Sequence, residues 1–165
     1  MALSIIRCDD RLIHGQCVVK VLNDFKVKRI LLVDDFTANN PVIKSIYKAA
    51  APPNVKISIL NVKDSISKIK EAVDNTTSTL LLIKDPSVLV QIMQEVPGVN
   101  KELNIGPMSN RNGTIKAAYF ANLLKKEIES IEELTNIGVR VYFQQVVEEK
   151  PVEWVNVRNE ILSKI

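Results

Sequence analysis

Short runs of aliphatic and β-branched residues alternate along this chain with amphipathic stretches of helical length. The runs Leu3 to Cys8, Lys28 to Val33, Val55 to Leu60, Thr79 to Ile83, Glu102 to Ile105 and Val139 to Gln145 read as strands, with a weaker one near Ala118 to Phe120. Most are continuous rather than alternating, the pattern of strands covered on both sides. Val62, Ile66, Ile69 and Val73 fall on one helical face, with Lys63, Ser67 and Lys70 on the other. Asn61 with Asp64 predicts a helix start, and Asp85-Pro86 places a capping carboxylate before a proline at the first helical position. Ile128, Ile131 and Leu134 form another stripe, which Gly138 ends before the next strand. A helix from Gly15 to about Asn23 and a final one from about Pro151, docked through Trp154, Val155 and Ile161, complete the pattern. Strands separated by helix-length segments imply right-handed crossovers. The predicted fold is α/β: a three-layer α/β/α arrangement with a mostly parallel central sheet of about six to seven strands and helices on both faces.

Composition narrows the class. With 165 residues, 46% of them apolar and 25% charged, one domain over residues 1–165 is expected, and no linker or repeat divides it. A net charge of +3 and 5% aromatic residues give no basis for nucleic-acid binding. No apolar run approaches the roughly 20 residues that cross a bilayer. The start Met1-Ala2-Leu3-Ser4 lacks the features of a secretory signal, so a cytoplasmic location is expected. Cys8 and Cys17 with a single histidine make neither a disulfide framework nor a zinc site. No nucleotide fingerprint or metalloprotease motif occurs, and neither metal nor cofactor is expected.

In open parallel sheets, ligands bind outside the carboxyl ends of the strands. The loops there carry Asp9-Asp10-Arg11-Leu12-Ile13-His14-Gly15, Asp34-Asp35, Lys84-Asp85 and Gly106-Pro107-Met108-Ser109-Asn110-Arg111. His14 is the only histidine and directly precedes a predicted helix start, where unpaired N–H groups and the helix dipole favour an anion. Imidazole is nucleophilic at neutral pH and forms a labile phosphoramidate, and Arg11 adds a planar donor fork. A surface histidine capping a helix would leave the same pattern. Asp9 and Asp10 could position Arg11 or orient the imidazole, or form a plain acidic turn. Asp34-Asp35 and Lys84-Asp85 read first as helix caps, and Ser109 and Arg111 could line the cleft or turn the chain. Cys17, lacking a third orienting group, reads as a packing residue.

The stretch Ile6-Arg7-Cys8-Asp9-Asp10-Arg11-Leu12-Ile13-His14-Gly15-Gln16 resembles the phosphorylation motif of subunit IIB of the mannose/fructose/sorbose family of the bacterial sugar phosphotransferase system. Asp34-Asp35, Asn104-Ile105-Gly106-Pro107-Met108-Ser109, Gly138-Val139, Gln144-Gln145-Val146 and Lys150-Pro151-Val152 have look-alikes in that order. The resemblance implies a protein-N(π)-phosphohistidine–sugar phosphotransferase component. In it, His14 takes a phosphoryl group on its δ1 nitrogen from subunit IIA and hands it to a sugar held by membrane subunits IIC and IID. Such a carrier would be cytoplasmic and peripherally associated with those subunits. Arg11 would steady the phosphoryl group, and Gly15 and Gln16 would present backbone donors. Asp10, Met108 and Ser109 complete the candidate phosphoryl-binding set. Pro107 stands where the family usually has a second glycine and removes one backbone donor. Cys17 and Val18 also depart from the usual residues, and a tryptophan common shortly afterwards is missing. Two further readings share these residues: a receiver-like signalling domain phosphorylated on aspartate with magnesium, and a non-catalytic regulatory module that binds an anion.

Overall fold

In a computed structural model of the chain, residues 3–13 and 15–165 are described, without the side chains of residues 15–17. Among the described residues, nine strands and seven helices follow in the order β1 (Leu3–Cys8), α1 (Gly15–Asp24), β2 (Arg29–Val33), α2 (Asp35–Ala38), α3 (Pro41–Ala50), β3 (Lys56–Leu60), α4 (Val62–Asp74) and β4 (Thr79–Ile83). They continue with α5 (Pro86–Glu95), β5 (Glu102–Ile105), β6 (Ile115–Ala118), β7 (Ala121–Leu123), α6 (Lys125–Asn136), β8 (Arg140–Phe143), β9 (Val152–Glu153) and α7 (Trp154–Leu162). Seven strands form one sheet in the order β3-β2-β4-β1-β5-β8-β9, parallel except for β9. β1 lies between β4 and β5, so its loop opens at the middle of the carboxyl edge.

Alternation within the strands divides the core by sheet face. Leu3, Ile6, Cys8, Leu81, Ile83, Leu103, Ile105, Val141 and Phe143 pack with residues of α4, α5, α6 and α7. Ile5, Ile30, Leu32, Ile59, Leu80 and Leu82 pack with Val18, Val21 and Leu22 of α1, with Ala38 and Tyr47 half-buried against them. The second face is thinly covered, and α3 has no buried residue.

Helix starts follow the sequence closely. Asp34 accepts from the Thr37 amide at the start of α2, Asn61 from the Asp64 amide at α4, and Asp85 from the Ser87 amide at α5. Asp35 accepts from the amide of Val62, the first residue of α4, at 2.8 Å. Gly138, at φ +91°, ends α6 in the left-handed conformation expected of it.

Three expectations are corrected. Ala118 to Phe120 is not a strand of the main sheet: β6 and β7 form a separate antiparallel hairpin with Tyr119 and Phe120 at its turn. The last helix does not begin at Pro151. Val152 and Glu153 first pair antiparallel with Phe143 and Tyr142, held by Arg140, which binds the Glu153 carboxylate, and the helix starts at Trp154. Trp154 is fully buried and donates to Glu132 Oε1 at 2.7 Å, and Ile161 is buried, but Val155 is 62% exposed and takes no part in docking.

Candidate functional site

β1 ends in a tight reversal. The Leu12 amide donates to the Asp9 carbonyl at 3.0 Å, and Leu12 takes φ +54°, a conformation that costs an L-residue about 1 kcal/mol or more. Its side chain, 1% exposed, is buried in the core under α1. The twist thus drives Leu12 inward and turns Arg11 out at the carboxyl edge, its side chain 42% exposed. Asp9 sits beneath this loop, buried. Its Oδ1 accepts from the Arg11 amide at 3.0 Å and lies 3.9 Å from Arg11 Nε, while Oδ2 lies 3.6 Å from Arg7 Nη2. Burial pushes the Asp9 carboxyl above its ordinary value, opposed by the Arg11 amide and then by the Arg7 charge.

The loop after β5 closes on this turn. The Asp10 amide donates to the Pro107 carbonyl at 3.2 Å, and Asp10 Oδ2 accepts from the Ser109 amide at 2.6 Å and from the Ser109 hydroxyl. Asp10 Oδ1 is buried with no hydrogen-bond partner among the described residues. Arg111 does not line the opening. It forms a bidentate pair with buried Glu127, at 2.9 and 3.0 Å, and donates to the carbonyls of Ser109 and Asn122. Glu127 also accepts from the Leu124 amide at the start of α6. The sequence alternatives for Arg111 therefore resolve in favour of turning the chain.

Between the two loops lies a cavity of about 240 Å³ lined by Asp10, Arg11, Pro107, Ser109, Phe120 and Gln145. The structure thus brings together three of the expected residues, Arg11, Asp10 and Ser109. Met108 supports this wall from behind: its side chain is buried against Cys8, and its amide donates to the Phe120 carbonyl. His14 lies outside the described residues, as do the side chains of Gln16 and Cys17. Gly15 is the first residue of α1, whose first turn carries no acidic residue.

Gln145 stands in the sequence only at a strand end and within a stretch that supports the family resemblance, and Phe120 only in a weak strand, because their places at the cleft depend on where distant loops fold. Arg7 offered a signal: a cation inside an otherwise apolar strand must be paired. A larger cavity of about 410 Å³ lies among Leu22, Lys26, Val27, Pro52, Pro53 and Val55, and among the described residues no carboxylate, thiol or imidazole lines it. Among the described residues, no group of three or more His, Cys, Asp or Glu could hold a metal, and no helix is long and apolar enough to cross a membrane.

Fold and cleft together define an α/β domain with a polar-lined opening at the carboxyl edge of a mostly parallel sheet. Residues 3–164 match the sequence model of the PTS system sorbose subfamily IIB component, and the chain belongs to that family. It is 27% identical over 161 residues to the sorbose-specific EIIB component of Klebsiella pneumoniae, covering 97% of each chain. It is 25% identical over 165 residues to the mannose-specific EIIAB component of Escherichia coli K12, covering all of this chain and 50% of that one. The crystal structure of the IIBSor domain of the sorbose permease from Klebsiella pneumoniae superposes with a TM-score of 0.86 at 26% identity, covering 97% of this chain and 98% of that one. The chain is therefore a phosphotransferase component of a sugar transport system.

Proposed function

We propose that this chain, acting as one domain over residues 1–165, is a phosphohistidine relay. His14 accepts a phosphoryl group from a IIA-type donor and passes it to a sugar held by membrane subunits of the IIC and IID kind, with which the chain associates peripherally. In the first step the N–P bond of the donor phosphohistidine breaks as one forms to the His14 imidazole, and the released donor imidazole regains a proton. In the second, the N–P bond at His14 breaks as a sugar hydroxyl oxygen takes the phosphorus; the hydroxyl loses its proton to solvent or a base, and the released His14 imidazole regains one. Little covalent machinery is needed; the loose transition state asks for position and for donors that hold its spread charge.

The observation that carries this reading is the cleft that gathers Arg11, Ser109 and Gln145 one turn of chain from the start of α1. Arg11 steadies the phosphoryl oxygens, and the amides of Gly15 and Gln16 face them at the helix start. Asp10 spends one oxygen on Ser109 and so fixes the loop opposite, with Met108 behind it. The presence of a mannose EIIAB relative, in which both functions share a chain, supports a IIA-type donor. A receiver-like aspartyl phosphate is disfavoured, because Asp9 is buried and bound to Arg7 and Arg11 rather than open to a metal and a phosphodonor.

The test is intact-protein mass spectrometry after incubation with a phosphorylated IIA subunit. The wild-type chain should gain one phosphoryl group that is lost in acid and kept in base, and His14→Gln should gain none. Labelling of His14→Gln, or a label cleaved by hydroxylamine, refutes the relay.

A further inference from the structure

Arg7 lines none of the cleft, yet three of the segments that build it meet on its guanidinium. The side chain is 1% exposed. Nη1 donates to Asn104 Oδ1 at 2.5 Å and to the Gln144 carbonyl at 3.2 Å, and Nη2 donates to the Gln145 carbonyl at 3.2 Å. Nη2 also lies 3.6 Å from Asp9 Oδ2. Gly106 backs the group so closely that a Cβ there would stand 2.4 Å from Nη2 and 2.6 Å from Cζ. Asn104 Nδ2 adds a second bond to the Gln144 carbonyl at 3.1 Å.

Each partner leads directly to a cleft residue. Asp9 holds the Arg11 amide. Gly106 precedes Pro107 in the loop that ends at Ser109. Gln145 lies on the opposite wall, and beyond Arg7 its segment is tied by Gln144 Nε2, which donates to the Glu149 carbonyl at 2.6 Å. A buried cation is a poor source of net stability, since desolvation offsets most of its Coulombic gain and an apolar side chain of similar volume often serves as well. What a guanidinium supplies here is geometry: a rigid plane with donors aimed in several directions, which a lysine ammonium does not reproduce.

We propose that Arg7 is a positioning residue for phosphoryl transfer, whose planar fork sets the Asp9–Arg11 turn, the Gly106–Ser109 loop and Gln145 in one fixed arrangement. This rests on the relay function proposed above. The role belongs to the fork and not to the charge, so Arg7→Lys fails to replace it.

The experiment follows single-turnover transfer from a phosphorylated IIA subunit, at varied donor concentration, to the wild-type chain, Arg7→Lys and Asn104→Ala, with kcat read as the saturating rate and KM as the half-saturating donor concentration. Burial of Trp154, monitored by its fluorescence, reports folding. In a folded Arg7→Lys chain, kcat should fall about 10- to 100-fold, the cost of a misplacement on the order of 1 Å. KM for the phosphodonor should stay within about threefold of wild type, because the exposed surface is untouched. Asn104→Ala keeps the charge, removes one acceptor of the guanidinium and the second bond to the Gln144 carbonyl, and should show the same split at smaller amplitude. If Arg7→Lys does not fold, Asn104→Ala decides by that split. A folded variant with wild-type kcat, or a loss confined to KM, overturns the assignment of Arg7 while leaving the relay intact. A wild-type chain that takes no phosphoryl group overturns both.

Discussion

Gly106→Ala isolates the packing between the β5 loop and the buried guanidinium. Gly106 has no left-handed φ, so alanine suits its backbone, and the cost comes from contact alone. The new Cβ would stand 2.4, 2.6 and 3.0 Å from Nη2, Cζ and Nε of Arg7. The guanidinium cannot simply swing away, because its bonds to Asn104, Gln144 and Gln145 hold it in place. Overpacking of this kind costs about 1–3 kcal/mol, and a weakened charged hydrogen bond adds about 1.5 kcal/mol or more. A loss of about 3 kcal/mol is therefore expected, read as a fall of about 6–12 °C in Tm for a chain of this size. Urea unfolding followed through Trp154 gives the same quantity. In an Arg7→Met background the chain ends before the Cζ and Nη2 positions, and Gly106→Ala should then cost under about 1 kcal/mol, leaving a coupling of about 2 kcal/mol. A single-mutant loss below about 0.5 kcal/mol, the range of ordinary surface substitutions, would refute the reasoning.

Glu127→Gln breaks the bidentate pair with Arg111 and the cap on Leu124, and should cost about 2–3 kcal/mol in thermal unfolding, with faster hydrogen exchange at the Ser109 amide. Leu12→Ala removes a buried side chain that holds a left-handed residue in place and keeps the Cβ that makes φ +54° costly, so a loss of about 2–5 kcal/mol is expected; a loss under about 1 kcal/mol would refute the reading of Leu12 as a buried anchor. Glu132 is held below its ordinary carboxylate value of 4.5, first by the hydrogen bond from Arg158. A depressed folded-state value contributes stability above the unfolded value that is lost as pH falls through the folded one. Urea midpoints of wild type and Arg158→Met should therefore differ by a constant amount above about pH 4.5 and converge below it; a gap that persists far into acid would contradict this.

Much of the fold could be read directly from the chain because its signals are local. The continuous runs at residues 79–83 and 102–105, the caps Asn61 and Asp85, and Gly138 each act within a few residues. The errors fall where a tertiary contact decides. Nothing local says that Val152 and Glu153 will pair with β8 instead of starting a helix, since Arg140 supplies that choice from 13 positions away. The candidate site shows the same division. Arg11, Asp10 and Ser109 announce themselves by residue type and loop position, and the structure gathers them at one cleft. Gln145 and Phe120 enter only because the β8 loop and the β6–β7 hairpin fold over the same edge. Arg7 was visible as a cation in a buried strand, but its hydrogen-bond acceptors lie 97, 137 and 138 residues away.

Helix starts along the carboxyl edge compete for any negatively charged visitor, and here the competition is decided in advance. α2, α4 and α5 each begin with an Asp or Asn that already occupies an amide, and Asp35 takes a further one on α4. Asp34 and Asp85 also bring their own negative charge to those ends, so an oxyanion drifting over the edge is turned away there. On the relay proposed above, α1, whose first turn carries no acidic residue, is the helix start that receives the phosphoryl group. The capping residues thus act as signposts as well as fasteners, and neutralising one of them would offer a stray phosphate a second berth.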